Sequence, residues 1–216
     1  KFIEKRMDKA YFPAQPIADA GLYADAYFER LAAAAQTVDR KALAAAGELL
    51  AERAAAGAMI FSCGNGGSAA ISNHLVCDCM KGVRSNSWLK PRVNSLSSTV
   101  ELITAIVNDI GYEEMFSFQL SSLAKEGDVL IAISSSGTSP NIVKALTVAR
   151  EMKLKTIAMT GFGGGSSAEI ADISLHVNAE NYGIVEDVHQ SLMHILAQYL
   201  RHSHLQEPSA LGTLKF

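Results

Sequence analysis

Residues 61–82 read FSCGNGGSAAISNHLVCDCMKG, and this stretch decides the fold. An apolar run ends at Gly64, two more glycines and Ser68 follow, and the next residues favour a helix. Glycine lets a backbone turn tightly and approach a ligand closely, and a helix N-terminus offers free N–H groups to an anion. The stretch therefore predicts a strand, a tight turn and a helix, with room for an anion at the turn.

The turn does not match the common nucleotide-binding motifs. It is neither a GxGxxG fingerprint nor a Walker A loop, so dinucleotides and triphosphates are poorly supported. A tight strand-to-helix turn that binds no ligand would have the same sequence. On this motif alone, an anion-binding turn and a turn without a ligand are equally well supported.

Apolar runs and helical segments alternate after residue 57. Short apolar runs predict strands at Ala58–Ser62, Arg92–Leu96, Val129–Ile133, Lys155–Met159 and Ile173–Val177. Helical segments are predicted at Ser68–Met80, Val100–Val107, Asn141–Met152 and Val185–Arg201. Buried runs separated by helices are typical of a parallel sheet covered on both faces. The fold class is therefore α/β, a doubly wound parallel sheet.

An alanine- and leucine-rich region, residues 22–56, precedes the alternating part. It favours two helices broken near Thr37–Asp39, with Asp39 capping the second and Gly57 ending it. We expect an N-terminal arm over residues 1–18, a single domain with this helical extension over 19–201, and a peripheral C-terminal tail over 202–216.

Composition narrows the class of partner. The 216 residues are 49% hydrophobic and 19% charged, with a net charge of −3. No basic run supports nucleic acid as a partner, and no apolar segment approaches the roughly 20 residues of a membrane span. The first residues carry no secretory pattern. Three cysteines (Cys63, Cys77 and Cys79) form neither a disulfide framework nor a zinc motif, which favours a reduced, cytoplasmic protein with buried or partly buried thiols.

A second loop, ISSSGTSPN (residues 133–141), follows the predicted strand Val129–Ile133. It carries five hydroxyl side chains just before a helix that opens near Pro140. Capping a helix needs only one hydroxyl, whereas a phosphate monoester accepts many hydrogen bonds and needs no lysine. Because ligands bind at the carboxyl ends of strands in open α/β sheets, the two loops together predict a small phosphorylated ligand.

Titratable residues lie on two predicted helices. His74 and Asp78 are four residues apart and share a face, and on the last helix Glu186, Gln190 and His194 fall within about 80° of one another. His189 points about 140° away from His194. The opposite stripe is predicted to be core: Val188, Leu192, Ile195 and Tyr199. Spacing leaves three interpretations open: a surface ion pair, an acid–base pair or a zinc-type site.

The motifs together resemble the sugar isomerase (SIS) domain family. They are CGNGGS with a histidine six residues after its serine, ISSSGTSPNIVKAL, TGFGGG, VNDIGYEEMF and HQSLMHILAQ. The resemblance extends over about residues 22–201 and is greatest to the phosphoheptose (sedoheptulose 7-phosphate) isomerases. It implies a five-stranded parallel sheet, a homotetramer with active sites between subunits, and aldose–ketose isomerisation of a phosphorylated sugar through an enediol.

The resemblance also implies roles for individual residues. Asp78 and His194 would be catalytic, and one zinc ion per subunit would be held by His74, Asp78, Glu186 and His194. The residues implied to bind substrate are Asn65, Gly66, Gly67, Ser68, Asn108, Asp109, Ser134, Ser135, Ser136, Ser139 and Glu186.

Three positions depart from the family pattern. Asp78 stands where the family has glutamate, Glu186 where it has glutamine, and Gly183 where it has an acid in the loop before the last helix. A shorter base and a more anionic site are compatible with an altered substrate, or with a SIS protein that binds a protein partner, as the replication initiator-associating members do, or senses a sugar phosphate. The retained histidines and phosphate loops favour the isomerase.

Overall fold

One parallel sheet organises the chain, which is described here over residues 11–215 of a computed structural model. Its strands are β1 (Met59–Gly64), β2 (Arg92–Ser95), β3 (Val129–Ser134), β4 (Lys155–Thr160) and β5 (Ile173–His176). They stand in the order β2-β1-β3-β4-β5, and every neighbouring pair is parallel. The predicted doubly wound α/β sheet of five strands is confirmed.

Helices cover both faces of the sheet. They are α1 (Ala20–Gln36), α2 (Arg40–Ala55), α3 (Gly67–Cys77), α4 (Val100–Asp109), α5 (Ser117–Leu123), α6 (Pro140–Glu151), α7 (Gly165–Ile170) and α8 (Tyr182–Ser203). A π-helical segment, Asp78–Val83, continues α3, and 3₁₀ turns occupy Tyr112–Glu114 and Pro208–Ala210. None of the helices within residues 11–215 is long and apolar enough to cross a membrane.

The strand order creates a switch point between β1 and β3. The chain passes from β1 to β2 on one side and then crosses to β3 on the other. The loops after β1 and β3 diverge there, which leaves the crevice where doubly wound sheets bind ligands. Both candidate phosphate loops therefore begin at the ligand-binding position of this topology.

The core lies on both faces of the sheet, and β3 illustrates why. All six of its residues are buried. Ile131 and Ile133 pack towards α8 with Val188 and Leu192, whereas Leu130 joins the apolar side chains beneath α5 and α6 on the other face. A strand covered on both sides reads as a continuous apolar run, which is how β3 appears in the sequence.

The N-terminal helices form as predicted. The Asp39 side chain accepts a hydrogen bond from Lys41 N at 2.8 Å and caps α2. Gly57 follows the end of α2 with a φ of +76°, a conformation that glycine adopts without strain.

The last helix differs from its prediction in two ways. It begins at Tyr182, three residues early, because the Asn181 side chain accepts from Ile184 N at 3.1 Å and caps it. Ile195 and Tyr199, predicted to be core, are 48% and 45% exposed, so that part of the prediction is wrong. The buried stripe of the helix includes Val185, Val188, His189, Leu192, Met193, Leu196 and Leu200.

The two ends of the chain pack on the domain. Residues 1–10 of the predicted arm lie outside the described residues. The ring of Phe12 meets those of Tyr23 and Tyr27 edge to face, with centroids 5.5 and 6.3 Å apart. In the tail, Leu205 is buried and pairs with Ser87 in an antiparallel bridge, which fastens the chain beyond α8 to the loop before β2.

Candidate active site

The loops after β1 and β3 enclose a small cavity at the switch point. Its volume is about 120 Å³, the size of a small anion rather than of a whole sugar. The side chains that line it are Asn65, Ser68, Ile133, Ser134, Ser135, Ser136, Ser139, Tyr182 and Glu186. The structure therefore brings most of the predicted substrate-binding residues together.

Backbone geometry explains the glycines of the first loop. Gly66, at the N-cap of α3, has φ +53° and ψ −122°, a combination that side chains disfavour. At Gly64, a β-carbon would lie 2.5 Å from the carbonyl carbon and oxygen of Ser68. Glycine at both positions lets β1 turn directly into α3, and the residues on either side of this turn, Asn65 and Ser68, line the cavity.

The serine loop after β3 holds a hydroxyl that its own fold does not use. Ser139, the N-cap of α6, makes no capping hydrogen bond, and its hydroxyl instead accepts from the Ser134 hydroxyl at 3.4 Å. The Ser135 hydroxyl is buried and has no hydrogen-bond partner among residues 11–215. An unpaired buried hydroxyl costs about 1–3 kcal/mol unless a ligand pairs it. Ser135 thus favours a ligand rich in acceptors over an empty turn.

Asn141 joins the two loops and was not predicted as part of the site. Its side-chain nitrogen donates to Asn65 Oδ1 at 2.8 Å, and Asn65 Nδ2 donates to Asn141 Oδ1 at 3.0 Å. Asn141 is fully buried in the first turn of α6. This reciprocal amide pair fixes the first loop against the start of α6.

A second group of polar side chains lies between α3 and α8. His194 Nδ1 is 2.7 Å from Asp78 Oδ2, and His74 Nε2 is 3.2 Å from Asp78 Oδ1. The two imidazole rings meet edge to face with centroids 5.0 Å apart. Asp78 therefore joins the two histidines that the sequence had placed on separate helices.

The π-helical segment places Asp78. The sequence predicts one regular helix through Met80, but the α-helix ends at Cys77 and Asp78 begins the π turn. π turns inside helices recur at functional sites because they redirect side chains. The Asp78 N–H still bonds to His74 O, so the i,i+4 relation of the pair is kept.

Atoms from three of the four residues implied to hold zinc come together. One ligand atom each from His74, Asp78 and His194 lies within 4.8 Å of the others. Two imidazoles and a carboxylate are a donor set that zinc uses in catalytic sites, with a further position open to water or substrate. The donor chemistry of this cluster therefore fits the ion.

Glu186 lies apart from this cluster. Its carboxyl group lines the phosphate-sized cavity and abuts Gly67. Burial, followed by the charge of Asp187, raises its pKa. The position against both histidines is taken by Gln190, one helical turn later, whose Nε2 is 3.1 Å from His74 Nδ1 and 2.9 Å from His194 Nε2.

Of the predicted substrate-binding residues, Gly66, Gly67, Asn108 and Asp109 do not line the cavity, and neither does Gly183. Asn108 and Asp109 are exposed at the end of α4, where Asn108 Nδ2 donates to Asp109 Oδ1. Gly183 is in the first turn of α8 rather than in a loop. A β-carbon on Gly183 would lie 3.0 Å from the Tyr27 hydroxyl, which donates a hydrogen bond to Asp187 at 2.7 Å.

The cysteines do not join the cluster. Cys63 and Cys79 are buried free thiols, and burial raises the pKa of each. Cys77 is exposed, which differs from the buried or partly buried position expected for it.

Comparison with known proteins identifies the family. The model of the SIS domain matches residues 23–161, which include both candidate phosphate loops. The chain belongs to the SIS domain family. The match ends at Gly161, so α8, which carries His194, lies beyond it.

Several relatives are similar over a larger share of the chain than this match. A phosphoheptose isomerase of Proteus mirabilis is 37% identical over 188 residues, covering 83% of this chain and 97% of that protein. One from Geotalea daltonii is 40% identical over 158 residues, 73% of this chain and 82% of its own length. The phosphoheptose isomerase structure from Francisella tularensis superposes with a TM-score of 0.79 at 27% identity, covering 85% of this SIS chain and 99% of the other.

Proposed function

We propose that this SIS protein is an aldose–ketose isomerase for sedoheptulose 7-phosphate or a closely related sugar phosphate. The observation that carries the proposal is that the anion-sized cavity and the His–Asp cluster lie on the same two helices. Ser68 and His74 are six residues apart on α3, and Glu186 and His194 are eight apart on α8. At a rise of 1.5 Å per residue, the two parts of the site are separated by about 9–12 Å along the helix axes.

This separation suits a phosphorylated sugar bound end to end. The phosphate would accept hydrogen bonds from the serine loop and from the N–H groups at the start of α3. The carbonyl end of the sugar would then reach Asp78 and His194. The relatives named phosphoheptose isomerase support a substrate of this class.

The chemistry requires one proton to move between carbons and one between oxygens. We assign the first to Asp78, which takes a proton from the carbon next to the carbonyl, giving an enediol, and returns it to the neighbouring carbon. His194 transfers the proton between the two oxygens when no metal is bound, and is a metal ligand when zinc is bound. The 2.7 Å hydrogen bond between Asp78 and His194 supports their acting as a pair.

The metal proposal concerns the same residues. His74, Asp78 and His194 would hold a zinc ion, and bound zinc supplies Lewis-acid polarisation of a carbonyl group. The resemblance adds Glu186 to these ligands, but its position fits a role in the cavity better than a role in metal binding, because it lines the cavity and contacts Gly67.

We also propose a homotetramer with active sites shared between subunits. On α4 only Ile106 is buried, whereas Val100, Leu102 and Val107 are exposed large apolar residues, as is Ile110 just beyond the helix. Such a surface favours association. Asn108 and Asp109 lie at the end of this helix, so they would reach the site of a neighbouring subunit. Light scattering on the purified protein measures the assembly.

The decisive experiment is turnover of sedoheptulose 7-phosphate by the wild type, Asp78→Asn and His194→Ala, with zinc content measured on each. Loss of one acid–base group should lower kcat by about 10²–10⁴-fold. Near one zinc per chain in the wild type, lost in His194→Ala, is expected. Asp25→Asn, an exchange at an exposed carboxyl on α1, is the control. Full activity in both site variants would refute the residue assignment, and no turnover by the wild type would favour a non-catalytic SIS protein.

A further inference from the structure

Gln190 contacts both histidines on the side away from Asp78. Its Nε2 is 3.1 Å from His74 Nδ1 and 2.9 Å from His194 Nε2. Asp78 meets the other nitrogen of each ring, 3.2 Å from His74 Nε2 and 2.7 Å from His194 Nδ1. Each imidazole is thus held at both nitrogens, and the four side chains form a closed ring of hydrogen bonds.

The hydrogen-bonding chemistry fixes where the protons lie in this ring. An ionised carboxylate only accepts, so the ring nitrogens that face Asp78 carry hydrogen. In a neutral imidazole the other nitrogen then has no hydrogen and carries a lone pair. Both lone pairs face the Gln190 amide nitrogen, which has two hydrogens and satisfies one acceptor with each.

A cation in the cluster reverses this pattern. Held by His74, Asp78 and His194, it takes the lone pair of the ring nitrogens on the Asp78 side. The proton of each neutral ring then lies on the nitrogen that faces Gln190, as metal-bound histidines donate their second N–H to an outer partner. An amide nitrogen would oppose two donors there, whereas an amide oxygen has two lone pairs to receive them.

We propose that Gln190 is a positioning residue that serves both states of the site by turning its side-chain amide over. The nitrogen faces the histidines in the cation-free site and the oxygen faces them in the cation-bound site. The inference rests on the zinc site of the proposed function and concerns a residue outside the ligand set implied by the family resemblance. Glutamine is the side chain that offers two donors or two lone pairs from one position.

Zinc affinity tests the cation-bound state. It is measured by competition with a chromophoric chelator on the wild type, Gln190→Met and Gln190→Glu, with Gln206→Met as a control at an exposed position. Gln190→Met offers no strong acceptor, so we expect about 10–100-fold weaker binding. Gln190→Glu accepts from both N–H groups and adds negative charge, so it should bind zinc at least as tightly as the wild type. The control should match the wild type.

Histidine tautomers test the cation-free state. Long-range ¹H–¹⁵N correlation spectra of zinc-free, ¹⁵N-histidine-labelled protein should place hydrogen on Nε2 of His74 and Nδ1 of His194, and added zinc should move it to the nitrogens that face Gln190, Nδ1 of His74 and Nε2 of His194. The proposal is overturned if zinc leaves the hydrogens on the nitrogens that face Asp78, or if Gln190→Met keeps the zinc affinity of the wild type. It is also overturned if Gln190→Glu loses as much affinity as Gln190→Met, or if the wild type binds no zinc. Neither measurement reads isomerase turnover, so a failure here is distinct from a failure of the proposed activity.

Discussion

The carboxyl group of Glu186 fills the space beside Gly67 that a β-carbon would occupy. Gly67 opens α3 and Glu186 lies on α8, so the contact brings an acid to a helix N-terminus inside the hydroxyl-lined cavity. Helix N-termini attract anions, and an ionised Glu186 would repel a phosphate that binds at the same place. Anion binding and the ionisation of Glu186 are therefore linked.

Replacing Glu186 by glutamine should strengthen anion binding. Burial raises the pKa of Glu186, so the wild type should bind anions best below this raised pKa and lose affinity as the pH rises through it. In Glu186→Gln that loss should be absent, and above the raised pKa of Glu186 binding should be tighter by at least about fivefold, since one charge contact is worth about 1 kcal/mol even in water. Calorimetry with sulfate, whose charge is constant in this range, measures both.

The comparison isolates Glu186 because the other titratable groups of the site are common to both proteins. Glu29→Gln, at an exposed position on α1, controls for net charge. Equal sulfate affinity of the wild type and Glu186→Gln at all pH values would contradict the link.

Ser135 and Ser167 allow a matched test of the phosphate cavity. Both hydroxyls are buried without a hydrogen-bond partner in the described part of the chain, but only Ser135 lines the cavity. Alanine at either position should leave the Tm of the free protein unchanged or raised, because each removes an unpaired buried hydroxyl. With inorganic phosphate, Ser135→Ala should lose much of the Tm increase, since a hydrogen bond to a charged ligand is worth about 1.5–3 kcal/mol. An equal loss in Ser167→Ala would point to a general packing effect.

Local sequence patterns predicted most of the fold and the serine loop of the candidate site. The apolar run Val129–Ile133 predicted the central strand because a strand buried on both faces has no polar alternation. The excess of hydroxyls after it predicted a loop that binds a phosphorylated ligand, because capping uses few of them. Helices α5 and α7 escaped prediction, since seven and six residues are too short for a helical period.

The remaining part of the site depends on contacts between distant residues. Asn65 and Asn141 are 76 positions apart, and His74 and Gln190 are 116 apart. Gln190 shares a helix face with Glu186 and His194, but only tertiary packing decides which of them meets His74. The π segment at Asp78 likewise replaces a regular helix without a distinctive local pattern.

The amide pair of Asn65 and Asn141 should couple the two loops that follow β1 and β3. Asn141→Ala leaves Asn65 without its partner, so we expect the free energy of unfolding to fall by about 1–3 kcal/mol. In a double-mutant cycle with Asn65→Ala, urea denaturation should give a coupling energy of about 0.5–3 kcal/mol, as for residues in one network. Asn94→Ala, at an exposed position of β2, should be additive with either. Additivity of the Asn65 and Asn141 variants would show that the pair is not linked energetically.

His189 should make the protein acid-sensitive. It is fully buried on α8, its Nε2 donates to Thr160 O at 3.1 Å, and Nδ1 has no partner among the described residues. Burial lowers its pKa from 6.5 to about 4, against a smaller opposing effect of the Thr160 carbonyl. Between these values the unfolded chain binds the proton and the folded chain does not, so stability falls as the pH falls.

The size of this effect follows from linkage. Lowering the pH from above 6.5 to 4 should cost roughly 3 kcal/mol through His189 alone, because each unit of pKa difference corresponds to about 1.4 kcal/mol. His176, whose pKa burial also lowers, adds a contribution of the same sign. Urea denaturation at several pH values measures the slope. His189→Gln keeps a hydrogen-bond donor without a titrating ring, so it should be less stable at pH 7 yet show a flatter slope. A slope equal to that of the wild type would assign the acid sensitivity to other groups.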